Sequence, residues 1–87
     1  MFFVFLMEIA KINNFEKNFI ICFGKKVKHY RLINNLSQEM LANDANIPIN
    51  QIGRIERAEV NTSLLTVFKI ATALQLEVKE LLNFDEL

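Results

Sequence analysis

Asn50, Gln51 and Arg54 stand close together in the segment NIPINQIGRIER, residues 46–57, and each carries a planar polar group. An amide donates and accepts hydrogen bonds at once, and a guanidinium presents five donors in a rigid fork. None of the three has a neighbouring acid, base or thiol at a spacing that would make it catalytic. Amide and fork instead suit planar partners. Asn can bridge N6 and N7 of adenine, and Arg can bridge O6 and N7 of guanine. A plain solvated face is the alternative for the same three residues.

These side chains need a helix to aim them. Pro48 suits the first turn of such a helix, where its missing N–H costs nothing. Ile49, Ile52 and Ile55 recur behind it. Stepping about 100° per residue from Ile52 puts Ile55 near 300° and Glu56 near 40°. Asn50, Arg54 and Arg57 fall near 160°, 200° and 140°, on the opposite side. The spacing therefore predicts a helix through about residue 57, with Ile52 and Ile55 inward and Asn50, Arg54 and Arg57 outward. Ile49 and Gln51 flank the two faces.

The preceding segment supplies a second helix. Ser37 offers an N-cap for QEMLANDA, in which Leu41 and Ala45 share a face. Asn46 suits the left-handed conformation that ends a helix. Helices over 38–45 and 49–57, joined by three residues, have the spacing of a helix-turn-helix. In that motif the first helix crosses the phosphate backbone and the second enters the major groove. Gln38 then opens the first helix at the place where side chains and free N–H groups meet phosphate.

Around this pair the chain reads as short helices. GKKVKHYRLINN places Val27 and Tyr30 on one face and stops at Asn34-Asn35. Asn61, Thr62 and Ser63 can cap LLTVFKIATAL, whose Leu64, Val67, Ile70, Ala71 and Leu74 form an apolar stripe. VKELL closes the set. The class is all-α.

The stretch from Gly24 to Leu82 resembles the Cro/cI-like, or XRE-type, helix-turn-helix regulators. The residues that carry the likeness are LSQEMLA, the I-x-R-I-E-R end of the second helix, and LLTVFKIATAL at the expected distance. The likeness covers about Phe23 to Phe84. It implies a five-helix, lambda-repressor-like domain that binds double-stranded DNA as a homodimer on a palindromic operator, regulating transcription, most simply as a cytoplasmic repressor. By position, the resemblance assigns Gln38, Ile49, Asn50, Gln51, Arg54, Arg57 and Asn61 to the DNA contact. It assigns Arg31 and Glu56 to a buried ion pair between the first and third helices. It implies no cofactor, no metal and no catalysis.

The sequence departs from that family at several turns. Asn35, Asn46, Ala58 and Gln75 stand where the family has glycine. The two Asn keep the backbone freedom those turns need, whereas Ala58 and Gln75 imply strained or reshaped turns. Pro48 replaces a Ser or Thr N-cap. Ile49 replaces a polar reader, and either touches a thymine methyl or packs on the second helix. Gly53 weakens the helix and is read as allowing close approach to DNA.

Composition sets the outer limits. With 87 residues and 52% hydrophobic content, the chain fits one small domain with a packed core. The single Cys22 excludes an internal disulfide and a four-thiolate zinc site, and favours a reduced, intracellular setting. Formal net charge is zero. Residues 24–57 nevertheless carry a net +3 and residues 58–87 a net −3, so one end can attract phosphate while the other meets protein. His29 reads as a surface residue and Cys22 as a core or interface filler. A protein-interaction subunit, such as the antitoxin of a toxin–antitoxin pair, or a restriction–modification controller, is the alternative function.

Domain boundaries are placed at 1–22 for an N-terminal extension, 23–84 for the helix-turn-helix domain and 85–87 for a tail. The opening MFFVFLM is too short to span a bilayer and has no basic leader. It is compatible with a strand, a dimerisation arm, a helix preface, residues before a start at Met7, or a membrane-surface contact. NFIICF, residues 18–23, reads equally as a strand or as the lead-in to the first helix. Leu32, Ile33, Met40, Leu65 and Phe68 are expected to pack against this extension, or against a second subunit.

Overall fold

The computed structural model describes the backbone of residues 2–85 and the side chains of residues 15–85. Its elements are α1 (Phe2–Ile33), α2 (Gln38–Ala45), α3 (Ile49–Glu56), α4 (Leu64–Ala73) and α5 (Val78–Leu81). Among the described residues there is no strand. The strand reading of NFIICF is therefore set aside. Those residues lie inside α1, which crosses the boundary drawn at 22/23 without a break. At 32 residues α1 is also far longer than the short opening helix expected. At ~1.5 Å per residue it spans about 48 Å.

Each helix boundary has a local cause. Ser37 caps α2 by accepting a hydrogen bond from the Met40 N–H at 3.0 Å. Ser63 caps α4 in the same way from Thr66, at 3.1 Å. Pro48 stands at the N-cap of α3 with no side-chain bond.

At their C-termini the first four helices close alike. A residue with positive φ follows the helix, and the next N–H reaches back five residues to a carbonyl. Leu36 bonds Arg31, Ile47 bonds Ala42, Glu59 bonds Arg54 and Leu76 bonds Ala71, all at 2.9–3.0 Å. The positive-φ residues are Asn35, Asn46, Ala58 and Gln75, with φ between 56° and 59°. Asn bears that conformation readily; Ala58 and Gln75 hold it against the clash of their own Cβ.

The core lies where α3 packs on α1 and α2, α4 packs on α2 and α5, and α5 closes against α1. Val27, Leu41, Ile52, Ile70 and Leu81 are wholly buried, with Phe23, Ala42, Ala45, Ile55, Ala71 and Leu74 around them. Gly24 sets the closest crossing. A Cβ there would lie 2.5 Å from the carbonyl oxygen of Ile55 and 3.0 Å from that of Glu56. Only a glycine lets α1 rest on the C-terminal end of α3. Leu32, Ile33, Met40, Leu65 and Phe68 each stand about half or more in solvent on this chain, so residues 15–22 of the extension do not bury them, and contact with a second subunit is the alternative left to them.

Candidate nucleic-acid interface

Helix α3 divides as its spacing predicts. Ile52 and Ile55 are buried in the core, while Ile49, Asn50 and Arg54 are exposed and Gln51 is half-buried. Ile49 is not buried against α2: the residue is 54% exposed. That leaves Ile49 free to offer a methyl contact beside Asn50.

The pose of α3 is fixed by charge as well as by apolar contact. Arg31 on α1 donates to Glu56 twice, from Nε to Oε2 at 2.7 Å and from Nη2 to Oε1 at 3.0 Å. Its Nη1 donates to the carbonyl of Leu36 at 2.9 Å, which ties the α1–α2 turn to the same group. Hydrogen bonding to Glu56 holds the Arg31 guanidinium above its ordinary pKa, against the opposing effect of burial. Gln38 joins the network, its Nε2 donating to Glu56 Oε1 at 3.1 Å. One carboxylate thus fastens α1 and orients the side chain that opens α2.

Gly53 serves the same junction. It is buried, and a Cβ there would lie 2.9 Å from Arg57 Nη1 and 3.2 Å from Gln38 Oε1. Its bareness makes room for two neighbouring side chains. The close approach to DNA expected of it is corrected accordingly. Gln38 and Arg57 are brought together around this glycine.

Arg57 is not a free cation. Its Nε donates to Glu59 Oε2 at 2.9 Å and its Nη2 to Oε1 at 3.2 Å, in an exposed pair. The hydrogen bond from Arg57 holds the Glu59 carboxyl below the usual carboxylate range, and the same pair raises Arg57. Asn61 stands apart from the α2–α3 surface, on a groove it shares with Phe15, Glu16, Phe19 and Ile20 of α1. Sequence reasoning passed over Lys17, which borders a surface depression together with Arg57 and Ala58. The signal was available: Lys17 precedes Gly24 by seven residues, so the two share a helix face.

Among the described residues no group of three His, Cys, Asp or Glu side chains could hold a metal ion. Two short helices at a tight turn, the second held by its apolar face and open on its polar one, define a helix-turn-helix domain. Comparison with known proteins agrees. The helix-turn-helix family HTH_3 matches residues 27–81. Control protein C.SmaI of Serratia marcescens is 43% identical over 60 residues, covering 69% of this chain and 71% of that protein. Control protein C.BamHI of Bacillus amyloliquefaciens is 41% identical over 68 residues, covering 77% and 84%. The crystal structure of the restriction–modification controller protein C.AhdI from Aeromonas hydrophila superposes with a TM-score of 0.70 at 37% identity. It covers 71% of this chain and 94% of that one. The chain belongs to the HTH_3, or XRE-type, helix-turn-helix family of DNA-binding transcriptional regulators. Its relatives are regulators, not enzymes.

Proposed function

We propose that this chain is the controller of a restriction–modification system, binding a palindromic operator in the cytoplasm as a homodimer and performing no catalysis. The observation that carries DNA reading is α3 itself, with Ile52 and Ile55 buried and Asn50 and Arg54 exposed one turn apart. The likeness to two control proteins and to a controller of known structure favours this role over that of an antitoxin.

Each residue then has a part. Asn50 and Arg54 read base edges by paired hydrogen bonds, and Ile49 meets a thymine methyl. Gln51, half-buried, touches the groove wall. Gln38 meets phosphate at the start of α2, held in place by Glu56. Arg57 and Asn61 lie toward the backbone on either side. Residues 1–22 act as an extension continuous with the domain at 23–84, and 85–87 as a tail.

Selection of binding sites from random duplex DNA tests this reading. Enrichment of a sequence with two-fold symmetry and half-sites about one helical turn apart is expected. Recovery of no preferred sequence would count against base reading. The operator of a restriction–modification system placed among the selected sites would identify the controller role.

A further inference from the structure

We propose that Lys17 of α1 holds one phosphate of the DNA backbone, a contact that rests on the reading of α3 above and extends it beyond the helix-turn-helix pair. Lys17 borders a depression of about 380 Å³, with Glu16, Ile20 and Ile21 of α1 on one wall and Arg57 and Ala58 on the other. Gly24 fixes how the two walls meet. A Cβ there would lie 2.5 Å from the Ile55 carbonyl oxygen, so its side of α1 rests on the C-terminal end of α3. Lys17 precedes Gly24 by seven residues, which keeps it within about 20° of that side and roughly 10 Å further along the axis. It stands just past the last turn of α3, beside Arg57. The family match begins at residue 27, so Lys17 lies outside what the shared domain supplies.

The position suits a backbone phosphate. Arg57 shares the outer side of α3 with Asn50 and Arg54, within about 60° of both. The depression thus continues the edge of the surface offered to the groove, where a duplex presents its backbone. Of the two cations there, Lys17 is the one left to bind. Arg57 is already paired with Glu59 at 2.9 Å. Lys17 is exposed and, among the described residues, makes no ion pair. Glu16 adjoins it in sequence but stands about 100° round the helix, so the two do not face each other; Glu16 also lines the groove beside Asn61. Within residues 15–33 of α1 it is the one acid, against Lys17, Lys25, Lys26, Lys28 and Arg31. The helix therefore brings a positive field to this edge. An ammonium on a flexible stem holds a phosphate as a point charge, without the fixed fork that reads a base. Lys17 accordingly adds affinity and no sequence preference.

Salt titration of binding to a mixed-sequence duplex of about three helical turns tests this, with Lys17→Gln, Lys17→Arg and Lys79→Gln alongside. Lys79, on α5 with its side chain 81% exposed, is the control, because its loss changes net charge equally. Each phosphate contact contributes about 0.9 to the slope of log affinity against log salt. Lys17→Gln should lower the slope by that amount per protomer. The affinity lost between roughly 50 and 200 mM salt then shrinks by about 3.5-fold per protomer. Lys17→Arg should keep the wild-type slope, and Lys79→Gln should move it by less than about a third as much. Circular dichroism should give all four proteins one melting temperature, since Lys17 has no partner to lose. An unchanged slope in Lys17→Gln, or equal flattening by Lys79→Gln, would overturn the proposal. So would a wild-type chain that binds no duplex at any salt. A preference for the selected site that depends on Arg54, with a slope indifferent to Lys17, would sink this contact alone. A slope that depends on Lys17 in a chain with no preferred sequence would uphold the contact and retire only the base reading.

Discussion

Replacing Glu56 by Gln keeps the shape of the side chain and removes its charge, which isolates what the Arg31–Glu56 pair contributes. The side chains of Arg31 and Glu56 are only 10% and 3% exposed, so water cannot take over the lost contact. Three donated hydrogen bonds converge on this carboxylate, two from Arg31 and one from Gln38. Removing one partner of a buried pair typically costs about 3–5 kcal/mol, because the other charge is stranded. The amide retains one acceptor, which places Glu56→Gln near the lower end, about 3 kcal/mol. For a domain of this size each kcal/mol moves the melting temperature by roughly 4–8 °C, so a fall of about 12–24 °C is expected. Urea unfolding followed by circular dichroism measures the loss directly, and its slope should not change. The double variant Arg31→Met, Glu56→Leu should recover part of it, because no charge is left unpaired. A loss below about 1 kcal/mol would refute the reasoning. The pair would then behave as a solvated surface bridge.

Other positions give independent checks. Gly24→Ala should destabilise the fold by about 1–3 kcal/mol in the same unfolding assay, since its Cβ would meet the Ile55 carbonyl oxygen at 2.5 Å. Ala58→Gly and Gln75→Gly should each stabilise by roughly 0.5–1 kcal/mol, both residues holding φ of 59°. Glu59→Gln should leave the melting temperature unchanged but release Arg57, steepening the salt dependence of DNA binding by about one phosphate contact per protomer. Acid acts in the same direction. The Glu59 carboxyl is held low by Arg57, so the pair persists above the ordinary carboxylate range and is lost only as pH falls through that lowered pKa.

Much of the fold was legible because helix punctuation is local. Ser37 and Ser63 are caps recognisable by residue type, and Asn35 and Asn46 tolerate the conformation they adopt. The two faces of α3 follow from spacing alone. What lay beyond reach depends on contacts distant in sequence. Gly24 is needed by a carbonyl some thirty positions away, and Gly53 by the side chains of Gln38 and Arg57. The continuity of α1 through NFIICF was hidden because aromatic and β-branched residues suit a strand as well. An isolated glycine inside a helix costs about 1 kcal/mol, and that cost was itself a signal at both positions.

The division of labour on α3 is tested most directly by the ratio of operator to random-duplex affinity in Arg54→Ala, measured at one fixed salt concentration. Each paired contact to a base is worth about 1–3 kcal/mol. Operator binding should therefore fall by roughly ten- to a hundredfold per half-site, while random-duplex binding stays within about twofold. An equal loss on both duplexes, or no loss on either, would contradict the assignment of Arg54 to base reading.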